Sequence, residues 1–250
     1  VPVVGDTDRV SIATQYLITF LNRSFGFKLP QLISLISFND QPKEVCDFTP
    51  LGPKIETAAA ENIKISGTSH VWDALDYSIT KLNEFNKDKE YPNAKPRILI
   101  FSDGIDLGSE KKQEKVCQRA IDSGIIVDSV IVSLVDSCES LCKFAHLTGG
   151  YSLRTEDFND VNSLFEKESF LSLKLRPRPV IPTEKITKDV FNNADDNFDN
   201  EVDNYDFITK THRVALSTPN FVMSEAKKSK KQPERQVLRL LREMKIFQLA

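Results

Sequence analysis

The run Ile98-Leu99-Ile100-Phe101 is apolar at every position and stops at Ser102-Asp103-Gly104. A strand with one wet face alternates apolar and polar residues, so an unbroken run of this length fits a strand covered on both faces. Such strands belong to sheets that carry helices above and below. The rest of the chain supplies both kinds of element. Residues 8–25 repeat Val10, Ala13, Leu17, Phe20 and Leu21 at helical spacing behind Asp8, a plausible N-cap, and Gly26 and Pro30 end the helix. Leu32–Phe38 is a strand between Pro30 and Asn39-Asp40, with a further strand near Val45–Phe48 and a short helix over 55–61. Ser66-Gly67-Thr68-Ser69 opens a helix whose face is Val71, Leu75, Ser78, Leu82 and Phe85. Helices over 109–123, 138–147 and 157–168 then alternate with strands over 125–135 and 151–153. Repeated alternation of strand and helix predicts an α/β fold, a mostly parallel central sheet with helices on both faces. Ligands of such sheets bind beyond the carboxyl ends of the strands, where Asp103 sits and where the loop holding Thr68 could meet it.

Composition narrows the function. Of 250 residues, 40% are hydrophobic, enough for one domain with a real core plus appendages. The net charge of −3 lacks the basic excess of a nucleic-acid binder. No stretch approaches the roughly 20 apolar residues of a membrane helix. Cys46, Cys117, Cys138 and Cys142 are too sparse for a disulfide framework. Cys138 and Cys142 stand four apart with no second ligand pair, and they read as buried thiols of a reducing compartment, which places the protein inside the cell, in the cytoplasm. Asn22-Arg23-Ser24 matches a glycosylation sequon but falls within a helix.

The character of the chain changes after Leu175. Arg176-Pro177-Arg178-Pro179 breaks regular structure, residues 189–206 hold seven acidic residues and no basic one, and 227–231 read Lys-Lys-Ser-Lys-Lys. This divides the chain into a domain over 1–174, a charged linker over 175–232 and an amphipathic helix over 233–250. Asp195-x-Asn197-x-Asp199 through Asp206 has oxygen donors at the spacing of a calcium loop, but Asn200 replaces its turn glycine and Asp206 its bidentate Glu, so it reads as a solvated acidic segment. No nucleophile elbow, phosphate-cradling glycine loop or general acid–base pair occurs, and His70, His146 and the third histidine do not cluster. Trp72 reads as a packing anchor.

Three passages, in order, resemble the von Willebrand factor type A family. They are Ser66-Gly67-Thr68-Ser69 with the following Asp73-Ala74-Leu75, Arg97–Phe101 ending in Ser102-Asp103-Gly104, and Leu141–Leu147 followed by Thr148-Gly149-Gly150-Tyr151. The resemblance spans about residues 8–174. It implies a protein-binding module that is not an enzyme, with Thr68 and Asp103 as the positions serving a divalent cation, Mg²⁺ or Mn²⁺, completed by an acidic residue of a protein ligand. The family's other ligands come from an Asp-x-Ser-x-Ser motif at the end of its first, central strand. No such motif precedes the helix at residue 8, and Asp6-Thr7-Asp8 does not supply it. Two readings follow: the strand lies upstream of Val1, or the domain is degenerate and metal-free. The first is favoured, because a sheet without its middle strand forfeits a ladder of hydrogen bonds and apolar burial. Without a cation, Thr68 would cap a helix and Asp103 form a turn. Glu234–Lys245 in turn resembles the first helix of ubiquitin-conjugating enzymes. The alternative is therefore a targeting unit ahead of a conjugating fold beyond residue 250.

Overall fold

The computed structural model describes residues 6–27, 30–62, 67–87, 91, 94–132, 138–154, 158–168 and 185–192. The expected helix over 233–249 and the acidic pattern of 195–206 lie outside them. Among them the order is α1 (Asp6–Gly26), β1 (Leu32–Phe38), β2 (Pro42–Pro50), α2 (Pro53–Asn62), α3 (Val71–Phe85), β3 (Arg97–Ser102), α4 (Gln113–Asp122), β4 (Ile126–Ile131), α5 (Glu139–Leu147), β5 (Ser152–Arg154), α6 (Phe158–Glu168) and α7 (Lys188–Asn192). The α/β fold is as the sequence predicts. Three differences are local. α1 starts at Asp6, two residues ahead of the expected cap. β2 runs longer than expected, pairing with β1 from Phe38↔Pro42 to Leu32↔Pro50. α4 begins at Gln113 rather than 109, because residues 105–111 form the loop that grips α3.

The strands form two sheets. β3, β4 and β5 are parallel neighbours in that order, with Arg97↔Ile126 through Ser102↔Ile131 in unbroken register. β1 and β2 make a separate antiparallel pair. Among the described residues no ladder joins β1 to β3. The two halves nonetheless share their covers. On one face α1 sends Tyr16 and Phe20 into the cluster of Leu99, Phe101, Val130 and Phe165, and Leu17 and Leu21 into that of Leu35, Cys46 and Ile55. On the other face Val71, Trp72, Leu75 and Ile79 of α3 meet Ile98 and Ile100 of β3 and Phe38 of β1. Alternate residues of β3 thus serve opposite faces, which is why its sequence is apolar throughout. Two layers of helix bridge the break between the two half-sheets.

The Thr148-Gly149-Gly150-Tyr151 turn shows why these residues occur there. Thr148 Oγ1 accepts the Val127 N–H at 3.0 Å and donates to Ala145 O at 2.9 Å, tying the end of α5 to β4. A Cβ on Gly150 would stand 1.8 Å from the Val127 carbonyl oxygen, so no side chain fits. Tyr151 N–H then donates to Asp128 Oδ1 at 2.8 Å. The other carboxylate oxygen of fully buried Asp128 takes Arg97 Nε at 2.5 Å, and the guanidinium also pairs with Glu168 of α6. Burial disfavours that cation, but the two carboxylates outweigh it and hold the guanidinium's pKa above its ordinary value. The network fixes α6 to the amino end of the sheet, away from the loops discussed below.

Residues 185–192 depart from the linker expected across 175–232. Ile186 and Phe191 are buried in the main core cluster with Trp72, Val116, Leu141 and Phe144. Averaging over a charged stretch hides two apolar anchors five residues apart.

Candidate functional site

Three loops meet beyond the carboxyl ends of β1 and β3: Asn39-Asp40 after β1, Gly67–His70 before α3, and Asp103–Lys111 after β3. Backbone bonds tie them, His70 N–H to Asn39 O at 3.0 Å and Leu107 N–H to Ser69 O at 2.9 Å. Asp40 is the centre of the first contact. Its Oδ1 accepts the Thr68 N–H at 2.6 Å and the Thr68 hydroxyl at 2.7 Å. These bonds favour the carboxylate, the backbone one most, and lower the pKa of Asp40 below its ordinary 3.8. Thr68 Oγ1 also lies 3.2 Å from His70 Nε2. His70 Nδ1 lies 3.5 Å from Asp73 Oδ2. The loop can approach Asp40 only because residue 67 is glycine: its φ is +66°, and a Cβ there would fall 2.4 Å from the carboxylate.

The third loop and α3 cap one another. The cap position of α3 is His70, whose side chain makes no capping bond. Instead Asp106 Oδ1 accepts the Val71 N–H at 2.8 Å, and Ser109 Oγ accepts those of Trp72 and Asp73 at 3.0 and 3.3 Å. In return Asp73 accepts the N–H groups of Glu110 and Lys111 at 3.0 and 2.9 Å. Orphan donors at both segments are satisfied by the other, so the loop is held on the helix.

Thr68 therefore caps no helix; it belongs to Asp40. Asp103 forms a turn, its Oδ1 accepting Ile105 N–H at 3.1 Å while Ser102 Oγ accepts Gly104 N–H at 3.1 Å. Thr68 is exposed and Asp103 half-buried. Sequence reasoning missed Asp40, Asp106 and Ser109. Asp40 was legible by position, since it follows β1 as Asp103 follows β3.

The donor set does not by itself make a cation site. Among the described residues no group of three or more His, Cys, Asp or Glu side chains could hold a metal ion. Thr68 offers a neutral oxygen already bonded to Asp40 and His70, Asp40 gives Oδ1 to Thr68, and Asp103 gives Oδ1 to its own turn, a poor donor set where Mg²⁺ prefers six oxygens. The four cysteines offer no alternative. All are buried and none is in a disulfide, and burial pushes the Cys117 thiol up to about 12, so it stays protonated and unreactive.

The profile of the von Willebrand factor type A domain matches residues 7–167, well over half of the chain. The chain is 25% identical over 173 residues to a probable bifunctional E2/E3 enzyme of Acanthamoeba polyphaga mimivirus, a match covering 68% of this chain and 13% of that protein. Among solved structures, the von Willebrand factor type A protein of Catenulispora acidiphila superposes with a TM-score of 0.52 at 14% identity, covering 66% of this chain and 38% of that one. The conserved hypothetical protein BatB of Bacteroides thetaiotaomicron gives 0.49 at 11% identity, covering 64% and 85%. The chain thus spans a small part of the mimivirus protein and well under half of the Catenulispora one.

Proposed function

The chain belongs to the von Willebrand factor type A family, and we propose that it works as a protein-interaction module whose ligand face is the loop cluster of Asp40, Thr68, His70 and Asp103. The observation that carries this reading is the convergence of three mutually bonded loops at the carboxyl ends of β1 and β3, with exposed Asp40 and Thr68 at the surface. Parallel sheets bind ligands at that edge. The chemistry is recognition: a rigid rim of hydroxyl, imidazole and carboxylate fits a polar protein ligand, and no nucleophile or acid–base pair is assigned. Mg²⁺ or Mn²⁺ enters the reading only with oxygen donors beyond those of the described residues, such as an Asp-x-Ser-x-Ser motif would bring. A ligand carboxylate would then complete the shell. Four buried thiols outside any disulfide suit an intracellular setting.

The test compares proteins retained by the wild-type chain with those retained by Thr68→Arg and by a control, Lys87→Glu. Lys87 follows the far end of the 15-residue α3, about 20 Å from Thr68 at 1.5 Å per residue. A partner lost with Thr68→Arg and kept with Lys87→Glu supports the loop face. A partner that binds both variants as it binds wild type contradicts it.

A second reading has a specific observation behind it. The mimivirus relative is described as a probable bifunctional E2/E3 enzyme, and Glu234–Lys245 resembles the opening helix of conjugating enzymes. On this reading the domain is the targeting unit of a conjugating enzyme. Coding sequence beyond residue 250 decides it: a conjugating fold with one catalytic Cys favours it, and a stop codon removes it.

A further inference from the structure

Residues 185–192 are seated on the domain in the manner of a bound peptide. Two of their eight side chains, Ile186 and Phe191, are buried, while Lys185, Thr187, Lys188, Asp189 and Asn192 are exposed. The anchors belong to the same buried cluster as Trp72 of α3, Val116 of α4, and Leu141 and Phe144 of α5. The polar grip comes from the domain's side chains on the segment's backbone. Gln118 Oε1 accepts the Ile186 N–H at 2.9 Å, and Gln118 Nε2 donates to Asp122 Oδ1 at 2.8 Å, which orients the amide for that task. At the other end Lys143, 3% exposed, lies with Nζ 3.5 Å from Phe191 O, where the carbonyls of α7 end and attract a cation. α7 itself has five residues, too few to hold a helix without the surface beneath it.

We propose that residues 185–192 are a latch, a detachable segment held in cis, and that the groove of α3, α4 and α5 is a docking surface for a short helical peptide with two apolar anchors five residues apart. The occupant is the chain's own segment, delivered at high effective concentration because residues 169–184 tether it. Side-chain clamps on backbone groups at both ends, with apolar pockets between, are how proteins hold peptides from groups other than their own sheet or helix ladders. Opening the latch would bare the groove. This proposal does not depend on the loop face being the ligand site.

The experiment uses the whole chain. Ile186→Asp with Phe191→Asp should free the groove while circular dichroism stays that of wild type. A labelled peptide of residues 183–194 should then bind the double variant at least tenfold more tightly than the wild-type chain, whose groove is filled. Emission of Trp72, the single tryptophan, should shift on binding. Failure of the peptide to bind a folded variant, or equal binding to both chains, overturns the proposal. So does a variant that instead pairs with a second copy of itself. If the variant does not fold, native-state hydrogen exchange on the wild-type chain decides: the Ile186 amide should exchange at least tenfold faster than that of Val130 in β4. Exchange of both in one global event would make the segment an inseparable part of the core.

Discussion

Asp40 shows at the scale of one residue how the loop face is built. Its carboxylate is exposed, yet two donors from Thr68 hold it ionised. The sign follows. The folded pKa is below the unfolded one, so the contribution is full above the ordinary value of 3.8 and is lost as pH falls through the lower, folded value. We expect the Asp40 carboxyl, followed by NMR, to titrate below 3.8, and Thr68→Ala to move it up toward that value. An unshifted Asp40 in the wild-type chain would mean that the loop does not hold the carboxylate. The sequence alone assigned Thr68 and Asp103 through family resemblance and passed over Asp40. The reason is physical: 28 residues separate Asp40 from Thr68, and nothing local in either segment encodes the contact. The glycine between Ser66 and Thr68 was the available clue, since a left-handed glycine often marks close approach.

At the scale of elements, boundaries set by local pattern were legible and boundaries set by tertiary contact were not. α3 and β1 begin and end where periodicity and turn residues predict. α4 does not, because residues 105–111 give their polar groups to α3 rather than to a helical turn of their own. α7 was hidden because two anchors in a charged segment produce no periodic signal. The capping exchange makes a measurable claim. Asp106→Ala strips the Val71 N–H and the Ser109 hydroxyl of their acceptor, and should cost about 1–2 kcal/mol in chemical denaturation, the usual range for a lost cap. Asp106→Asn, which keeps one acceptor oxygen, should recover part of that loss. Equal stability of Asp106→Ala and wild type would show that water replaces the carboxylate without penalty, and that the loop is not held by α3.

At the scale of the whole molecule, the sheet is in two parts under common covers of α1 and α3. The strand alternation and the three motifs carried the fold; the break between β1 and β3 is a feature of the described residues that no local pattern in either strand announces. Each of those strands has an edge without a ladder among the described residues, and unpaired edges forfeit hydrogen bonds and invite association. We expect the 250-residue chain to melt below the ~45–65 °C of ordinary domains or to aggregate, and an upstream strand to raise its stability. A sharp, reversible transition at high temperature would show that the unpaired edges of β1 and β3 carry no such penalty.

The central proposal joins the two scales: Asp40, Thr68 and Asp103 belong to a protein-ligand face, and a cation there requires oxygen donors beyond those of the described residues. Calorimetric titration with Mg²⁺ tests it most directly, on the 250-residue chain and on a chain extended upstream by a strand ending in Asp-x-Ser-x-Ser. The account predicts weak uptake at best by the first and clear binding by the second. In the extended chain Asp103→Ala should cost more affinity than Thr68→Ala, because it removes a charge where the other removes a neutral donor. Equal affinity of the two chains, or an extended chain indifferent to Asp103→Ala, would contradict it.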